Sequence, residues 1–342
     1  MAGNSEAQYR AARGRVVSRR AVGLVLTLAL MPCVSSWAAA QQAKTSRIGF
    51  LSYSSAAAYS PRLAEHRQAL ADLGWVQGRN LIIEQRSAEN QNDRLPELAI
   101  DLIRAGVSVI VAENASATRA AMQVTSIPIV MAGVGDPVRY GLIASLAQPG
   151  GNVTGLSFVI SEMMLKNLEL LKEVAPRTAR VALLANPSNP GVAPTMVDLQ
   201  RAAPALGITL IQVDVLTLDD FERAFATIVR EKADGIVVTP EQLILSQRHR
   251  IAAFAEKHRL PSAYASVRFI DAGGLLAMAP NIADSPRLLA SYIDRLLKGA
   301  KAGDLPVEQF SKFELVINAK TAKAIGLTLP QAILQRADRV IE

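Results

Sequence analysis

Arg180-Val-Ala-Leu-Leu-Ala-Asn-Pro-Ser-Asn-Pro-Gly191 is the stretch of sequence that decides the fold. Its apolar run, Val181–Ala185, predicts a short strand of a parallel sheet that is covered on both faces. The polar residues that follow predict a turn and then a helix, because Asn and Pro suit the first positions of helices. Open α/β sheets bind ligands where strands end at helix N–H groups, so this stretch is a candidate site.

The same order of elements occurs twice along the chain. From Arg47 onward, short apolar runs alternate with amphipathic stretches, which is typical of βα units. Five pieces of the first half have counterparts about 130 residues later, and the order is the same in both halves. The sequence therefore predicts two lobes of one topology. The first-half pieces are Ile48–Leu51, Asp72–Gly74, Leu81–Glu84, Gly106–Val111 and Ser126–Met131.

Length and composition indicate a globular protein with room for two domains. The chain has 342 residues, of which 50% are apolar and 20% are charged. Its formal charge is +7, but residues 1–40 hold five arginines and one acid, which leaves 32 basic and 29 acidic residues. No stripe of Lys and Arg interleaved with aromatic residues follows, so we expect no nucleic-acid partner.

Residues 1–40 have the pattern of a secretory signal peptide. A basic region ends at Arg20, the apolar run Ala21–Val34 follows, and Ala38–Ala40 offers a small-residue cleavage site. The apolar run is shorter than the ~20 residues that span a bilayer, although an uncleaved anchor helix is the alternative. Cys33, the single cysteine, lies within this segment, so we expect a mature protein without disulfides.

The loops that follow the strands are the expected ligand-binding positions, since ligands of open α/β sheets bind at the carboxyl ends of strands. Most of these loops carry hydroxyl or amide groups, which can hold a carboxylate or another small anion. The candidate ligand-binding residues are Ser52, Tyr53, Ser54, Asn114, Ala115, Ser116, Asp136, Asn186, Ser188, Asn189, Thr239, Glu241 and Tyr264.

Several candidates have a structural alternative. Four of them can serve only as helix caps, namely Asn114, Asp136, Asn186 and Thr239. Glu241 can accept a hydrogen bond from a ligand amine, or it can be a first-turn acid favoured by the helix dipole. Tyr264 can stack on a ligand or simply end a strand.

Catalytic and metal-binding patterns are missing from the sequence. The three histidines, at positions 66, 249 and 258, fall in predicted helices away from the strand ends. No His, Cys and Asp set has metal-ligand spacing, and the sequence contains no P-loop lysine motif. Gly133-Val134-Gly135 lacks the third glycine of a dinucleotide-binding loop. We therefore expect no catalytic residues, no metal and no cofactor.

Short motifs spread from about Arg47 to the end of the chain support a family resemblance. They include Leu70–Trp75, Gly135–Val138, Pro149–Gly155, Asn186–Pro190 and Phe313–Asn318. On these motifs, the chain resembles the ABC transporter substrate-binding family whose better-known members bind tryptophan or tyrosine.

The resemblance implies an α/β fold of the periplasmic binding protein type I, with two similar Rossmann-like lobes that contain parallel sheets and are joined by a hinge. We expect lobe 1 at 46–156 plus 274–310. Lobe 2 is expected at 157–273, with the tail 311–342 as a candidate further part of it. The hinge candidates are Gly150-Gly151 and Thr154-Gly155.

The resemblance also implies a function. It predicts a monomeric, non-enzymatic receptor of an ABC importer, exported to the periplasm. Such a receptor would bind a small polar ligand, an amino acid or small carboxylate, between its lobes and deliver it to a permease in the inner membrane. Two alternatives stay open. One is a ligand-sensing subunit for a membrane partner, and the other is a periplasmic enzyme whose only available acid–base groups are Glu113, Asp136 and Glu241.

Overall fold

Strands and helices alternate along most of residues 45–342, which are the residues that the computed structural model describes. The signal peptide predicted at 1–40 lies outside this range. The strands are β1 Ser46–Ser52, β2 Leu81–Ser87, β3 Val109–Ala112, β4 Ile129–Gly135, β5 Val153–Phe158, β6 Arg180–Ala185, β7 Thr209–Asp214, β8 Gly235–Val238, β9 Ser262–Tyr264, β10 Leu276–Pro280, β11 Glu308–Phe310, β12 Phe313–Asn318 and β13 Arg339–Ile341.

The helices lie between these strands and on both faces of the sheets that the strands form. They are α1 Ala56–Asp72, α2 Leu95–Arg104, α3 Ala115–Val124, α4 Ile160–Val174, α5 Val192–Ala202, α6 Asp220–Arg230, α7 Gln242–Ser246, α8 Arg248–Lys257, α9 Arg268–Asp271, α10 Ser285–Leu297, α11 Ala319–Ala324 and α12 Gln331–Arg336. Among residues 45–342, none of the helices combines the length and the hydropathy that a membrane span requires.

The strands form two sheets with the same core order. In the first sheet the order is β11-β5-β4-β3-β1-β2, and in the second it is β13-β12-β10-β9-β8-β6-β7. All neighbouring strands run parallel except β10 and β12. Because β7-β6-β8-β9-β10 repeats β2-β1-β3-β4-β5, the predicted internal repeat is present as two lobes of one topology. The predicted α/β fold of the periplasmic binding protein type I is confirmed.

Burial explains the apolar runs of the central strands. Val181–Ala185 of β6 is fully buried, as a strand with helices on both faces must be. The helices contribute one apolar stripe each: in α6, Phe221, Ala224 and Ile228 are buried at helical spacing. Packing of such stripes on both faces of each sheet fixes the strand ends, and therefore the loops beyond them.

The chain crosses between the two sheets three times within residues 45–342, after β5, after β10 and after β11. The expectation that 274–280 belongs to lobe 1 is wrong, because β10 pairs with β9 and β12 of the second sheet. Helix α10 does pack on the first sheet, and β12 and β13 lie in the second. We therefore propose that lobe 1 comprises 46–158 and 285–310, and that lobe 2 comprises 160–280 and 313–342.

The hinge candidates lie within lobe 1 and not at the crossings between the lobes. Thr154-Gly155 is inside β5, and Gly150-Gly151 is in the loop that precedes β5. Gly155 is inside β5, where its backbone is close to that of Met131 in β4. The preceding Thr154 donates a hydrogen bond from its hydroxyl to the Leu305 carbonyl oxygen at 2.7 Å, also in lobe 1. The prediction of a hinge at Thr154-Gly155 is wrong, because β4 and β11 pair with β5 on both sides. Gly150 is also held within lobe 1, by the hydrogen bond from its N–H to the Gly303 carbonyl oxygen at 3.3 Å.

Candidate ligand-binding site

A cavity of about 210 Å³ lies between the lobes, at the carboxyl ends of the parallel strands. Lobe 1 contributes the ends of β3 and β4, and lobe 2 contributes the residues that follow β6, β8 and β9. This is the position expected for a ligand site in parallel α/β sheets. The volume suits a ligand smaller than a typical drug molecule.

Polar contacts join the two lobes beside the cavity. Asn92 of lobe 1 donates a hydrogen bond from Nδ2 to the Ser188 hydroxyl of lobe 2 at 2.7 Å. Arg139, in the turn after β4, forms an ion pair with Asp198 of α5. These contacts require the lobes to lie against each other, so the structure has a closed cleft.

Glu113 is a buried carboxylate at the lobe 1 side of the cavity. It is only 4% exposed, and it follows β3 directly. Its Oε2 accepts hydrogen bonds from the Ser52 hydroxyl at 2.7 Å and from the Ser54 N–H at 2.9 Å, and its Oε1 accepts one from the Ser54 hydroxyl at 2.7 Å. Because β1 and β3 are parallel neighbours, the loop after β1 meets the carboxylate after β3.

Glu241 occupies the equivalent position in lobe 2. It is also 4% exposed, and it follows β8, which is the parallel neighbour of β6. Its Oε1 accepts a hydrogen bond from Asn189 Nδ2 at 3.1 Å, and its Oε2 accepts one from the Leu243 N–H at 3.0 Å. Burial raises the pKa of Glu241, the two hydrogen bonds oppose this rise, and the negative charge of Glu113 adds to it.

The two lobes thus build their half of the site in the same way. In each lobe, the loop after the first strand donates hydrogen bonds to a carboxylate that follows the third strand. The internal repeat therefore extends from the strand order to the polar groups of the cleft. Glu241 caps α7 through the hydrogen bond that it accepts from the Leu243 N–H, and it also lines the cavity. Its acceptance of a hydrogen bond from a ligand amine stays a prediction.

His66 of α1 lines the cavity although the sequence pattern placed it away from the strand ends. It is 3% exposed, and its ring stacks on that of Phe50 with the centroids 5.7 Å apart. Neither ring nitrogen has a hydrogen-bond partner among residues 45–342. Burial, and next the charge of Arg62, lower the pKa of His66 to about 4, so the imidazole is neutral near pH 7.

Replacing His66 by phenylalanine should remove a pH dependence of stability. As the pH falls from 6.5 towards 4, the unfolded chain binds a proton that the folded protein does not, so the free energy of unfolding falls. Between pH 7 and pH 5 the natural protein should lose about 2 kcal/mol more than the His66→Phe variant. Urea unfolding at both pH values measures this difference, and equal losses would contradict the neutral buried imidazole.

Two arginines from opposite lobes lie at the mouth of the cavity. Arg62 extends from α1, and Arg268 is the exposed first residue of α9. Partial burial lowers the pKa of Arg268, and the positive charges of Arg248 and Arg62 lower it further. Among the described residues, neither Arg62 nor Arg268 forms an ion pair. The mouth is therefore a place where an anionic group can be accommodated.

Apolar and aromatic side chains form much of the remaining wall. Tyr140 and Phe158 of lobe 1 contribute rings, and Val192 of lobe 2 contributes an aliphatic surface. The ring of Tyr140 also packs directly on Gly191, so a lobe 1 side chain contacts the backbone of lobe 2. The cavity thus combines charged groups at defined positions with an apolar body.

The structure brings only some of the predicted residues to the cavity. Those that line it are Asn114, Ala115, Asn189, Thr239 and Glu241. Those that do not are Ser52, Tyr53, Ser54, Ser116, Asp136, Asn186, Ser188 and Tyr264. No bound ligand tests either group, so a ligand-binding role stays a prediction for each of them.

The residues away from the cavity support the loops that line it. Ser52 and Ser54 hold Glu113, as described above, and the Tyr53 hydroxyl donates to the Asn90 carbonyl oxygen at 2.9 Å. Tyr264 is fully buried and stacks on Phe269 with the ring centroids 4.4 Å apart.

One of the four candidate capping residues does cap a helix: Asn114 accepts a hydrogen bond at Oδ1 from the Ala117 N–H at 2.9 Å, at the start of α3. The other three, Asp136, Asn186 and Thr239, cap no helix. Asn186 accepts hydrogen bonds at Oδ1 from the Ser188 N–H and hydroxyl, at 3.0 and 2.7 Å, which stabilises a turn. Helix α5 begins further along, after Gly191, with no side-chain cap. Asp136 has a φ of 42° and precedes a turn and not a helix.

Sequence reasoning did not place Glu113, Arg62, His66 or Arg268 among the ligand-binding candidates. A signal for Glu113 was present, because the repeat that aligns β3 with β8 makes it the counterpart of Glu241. No local pattern marks the other three, which lie on helices. Within the described part of the chain, no group of three or more His, Cys, Asp or Glu side chains is arranged to hold a metal ion.

Comparison with known proteins identifies the family. The model of the family described as ABC transporter substrate binding protein matches residues 62–341. This chain belongs to that family. The tyrosine-binding protein of Clostridioides difficile (strain R20291) is 27% identical to this family member over 261 residues, which cover 76% of this chain and 75% of the relative.

Two solved structures are similar to this ABC transporter substrate-binding protein. A conserved domain protein from Vibrio cholerae has a TM-score of 0.81 and 26% identity, and the match covers 87% of this chain and all of that one. The ABC domain from Streptococcus pneumoniae in complex with L-Trp has a TM-score of 0.79 and 25% identity, with the same coverage. These relatives are solute-binding proteins or share their fold, so this chain is a substrate-binding protein for a small ligand.

Proposed function

We propose that this substrate-binding protein is the extracytoplasmic receptor of an ABC importer. It binds a small polar ligand, an amino acid or a small carboxylate, between its lobes and delivers it to a permease in the inner membrane. It acts in the periplasm as a monomer without enzyme activity. The observation that carries the proposal is the closed cavity, to which both lobes contribute buried polar groups.

A closed cleft of this kind couples binding to a change of shape. A ligand that contacts both lobes binds only when they are together, and so it shifts the population towards the closed form. Closure alters the surfaces that the two lobes present side by side, which gives a membrane permease a means to distinguish loaded from empty receptor. The names of the relatives, which mention tyrosine and L-Trp, support an amino-acid type of ligand.

A thermal-shift screen of amino acids and small carboxylates tests this function. A ligand present at 100 times its dissociation constant should stabilise the protein by about 2.7 kcal/mol. Small-angle X-ray scattering on the best ligand should then show a smaller radius of gyration than in its absence. No stabilisation by any compound would count against the receptor, and chemical turnover of a stabilising compound would favour an enzyme.

A further inference from the structure

Glu113 and Glu241 form a pair of buried carboxylates that face one cavity from opposite lobes. Both line the cavity and both are 4% exposed. Their charges interact, since the negative charge of Glu113 acts on Glu241, and the charges of both carboxylates act on Tyr53. Among residues 45–342, neither carboxylate has a Lys, Arg or His side chain within ion-pair distance.

Such an arrangement is unfavourable without a counter-charge. Buried carboxylates in proteins are normally paired with a cation, because removal of their hydration is costly. Here the hydrogen bonds come from hydroxyl, amide and backbone groups, which carry no net positive charge. Closing the cleft brings the two negative charges together in a water-poor space. A positive charge in the cavity would remove this penalty.

The hydrogen-bonding capacity of the pair is only partly used. A carboxylate offers about four acceptor positions. Glu113 accepts three hydrogen bonds and Glu241 accepts two from the protein. At least one position on each carboxylate therefore remains for a donor in the cavity. A primary ammonium group has three N–H donors, which is enough to donate one hydrogen bond to each carboxylate.

We propose that Glu113 and Glu241 together bind a protonated amine of the ligand, so that this ammonium group bridges the two lobes. The inference rests on the proposed receptor function and narrows its ligand class. It favours amino acids and other amines over carboxylic acids that lack an amine. The ammonium group is then the part of the ligand that makes closure favourable, because each of its carboxylate partners belongs to a different lobe.

The rest of the cavity is consistent with this orientation. The apolar walls, which include Tyr140 and Phe158, can accept the body of the ligand. The cations Arg62 and Arg268 lie at the mouth, where they can face an anionic group at the other end of the ligand. His66 also lines the cavity, and neither of its ring nitrogens has a hydrogen-bond partner among the described residues. A metal ion is disfavoured, because the described residues form no three-ligand cluster.

Matched sets of compounds test the amine directly. Each set consists of a protein amino acid, the amine that lacks its carboxylate, and the acid that lacks its amine. Thermal shift and isothermal titration calorimetry are measured on the purified protein with all three. We expect every compound that binds to carry a primary amine. In each set whose amino acid binds, the carboxylic acid that lacks the amine should bind at least about tenfold more weakly than the amino acid, since hydrogen bonds to charged groups contribute this much affinity.

Two variants in different lobes test the carboxylates. Glu113→Gln and Glu241→Gln remove the negative charge but keep the size of the side chain and one of its two acceptor oxygens, and each should weaken amino-acid binding at least about tenfold. Glu162→Gln is the matched control, because Glu162 is an exposed acid on α4 outside the cavity. It should leave the affinity unchanged within about twofold. Circular dichroism and the thermal midpoint without ligand report whether each variant folds.

The outcomes separate the inference from the function on which it rests. If an acid binds as tightly as its amino acid, or if both glutamine variants bind like the natural protein, the amine bridge is overturned while the receptor function stands. Tight binding of Ca²⁺ or Mg²⁺, tested with the metal alone and competing with the amino acid, would overturn it in favour of a metal site. If no compound of any class binds, the receptor function fails and the inference falls with it.

Discussion

Replacing Gly191 by alanine should weaken ligand binding roughly 5- to 100-fold. A Cβ atom at this position would lie 2.3 Å from the Tyr140 hydroxyl oxygen and 2.6 Å from the ring carbon that bears it. Because Tyr140 belongs to lobe 1 and Gly191 to lobe 2, the overlap exists only when the lobes are closed. Overpacking of this kind costs about 1–3 kcal/mol, and each 1.4 kcal/mol is tenfold in affinity.

The measurement is the dissociation constant of an identified ligand by calorimetry, together with the thermal midpoint without ligand. Since opening of the cleft relieves the overlap, the empty protein should keep its stability. Gly151→Ala is the matched control, because a Cβ there meets no atom within 4 Å. If Gly191→Ala binds ligand as the natural protein does, closure does not require the contact between Tyr140 and Gly191.

Replacing Gly155 by alanine should destabilise the fold by about 3 kcal/mol or more. Its φ of 123° lies in a region that only glycine adopts easily. An added Cβ would also lie 2.4 Å from the Met131 carbonyl oxygen and 2.6 Å from the Met131 nitrogen, and these backbone atoms cannot move without separating β4 from β5.

Chemical denaturation of Gly155→Ala and of the Gly151→Ala control measures this effect. The control should change the free energy of unfolding by less than about 0.5 kcal/mol, as surface substitutions usually do. The pairing of β4 with β5 has a register shift between Met131 and Val134, just before the cavity wall at Gly135. A Gly155→Ala protein as stable as the control would show that this pairing tolerates a side chain.

The sequence was sufficient to predict the architecture because the repeat is a long-range regularity. Strands that are buried on both faces are apolar runs. The order of apolar runs, helices and helix-ending glycines is the same in both halves of the chain. The error at 274–280 has a local cause. A crossing segment and a fifth sheet strand are both short extended apolar pieces, and only the pairing of β10 with β9 and β12 distinguishes them.

The site was predicted at the level of loops but not of side chains. Tyr264 shows why: it is the last residue of β9, and successive side chains of a strand point to opposite faces. Its ring packs on Phe269, and the next residue, Ala265, lines the cavity instead. A shift of one residue therefore changes a proposed ligand contact into a core residue.

Residues on helices could not be predicted as site residues from local patterns. Arg62 and His66 are four positions apart on α1, so they share one face of that helix. That this face is turned towards the cleft depends on how α1 packs against the first sheet and α10, which is a tertiary property. Ser52 and Ser54 are the opposite case, since they lie where the sequence predicted but act by holding Glu113.

The repeated crossing of the chain between the sheets has a consequence for the order in which the protein assembles. The first sheet is completed only by β11, which follows every strand of the second sheet except β12 and β13. A nascent chain that ends before residue 308 lacks β11, the outermost strand of lobe 1, whatever time is allowed for folding. Neither lobe can therefore be produced as a simple truncation, and final folding must follow release of nearly the whole polypeptide.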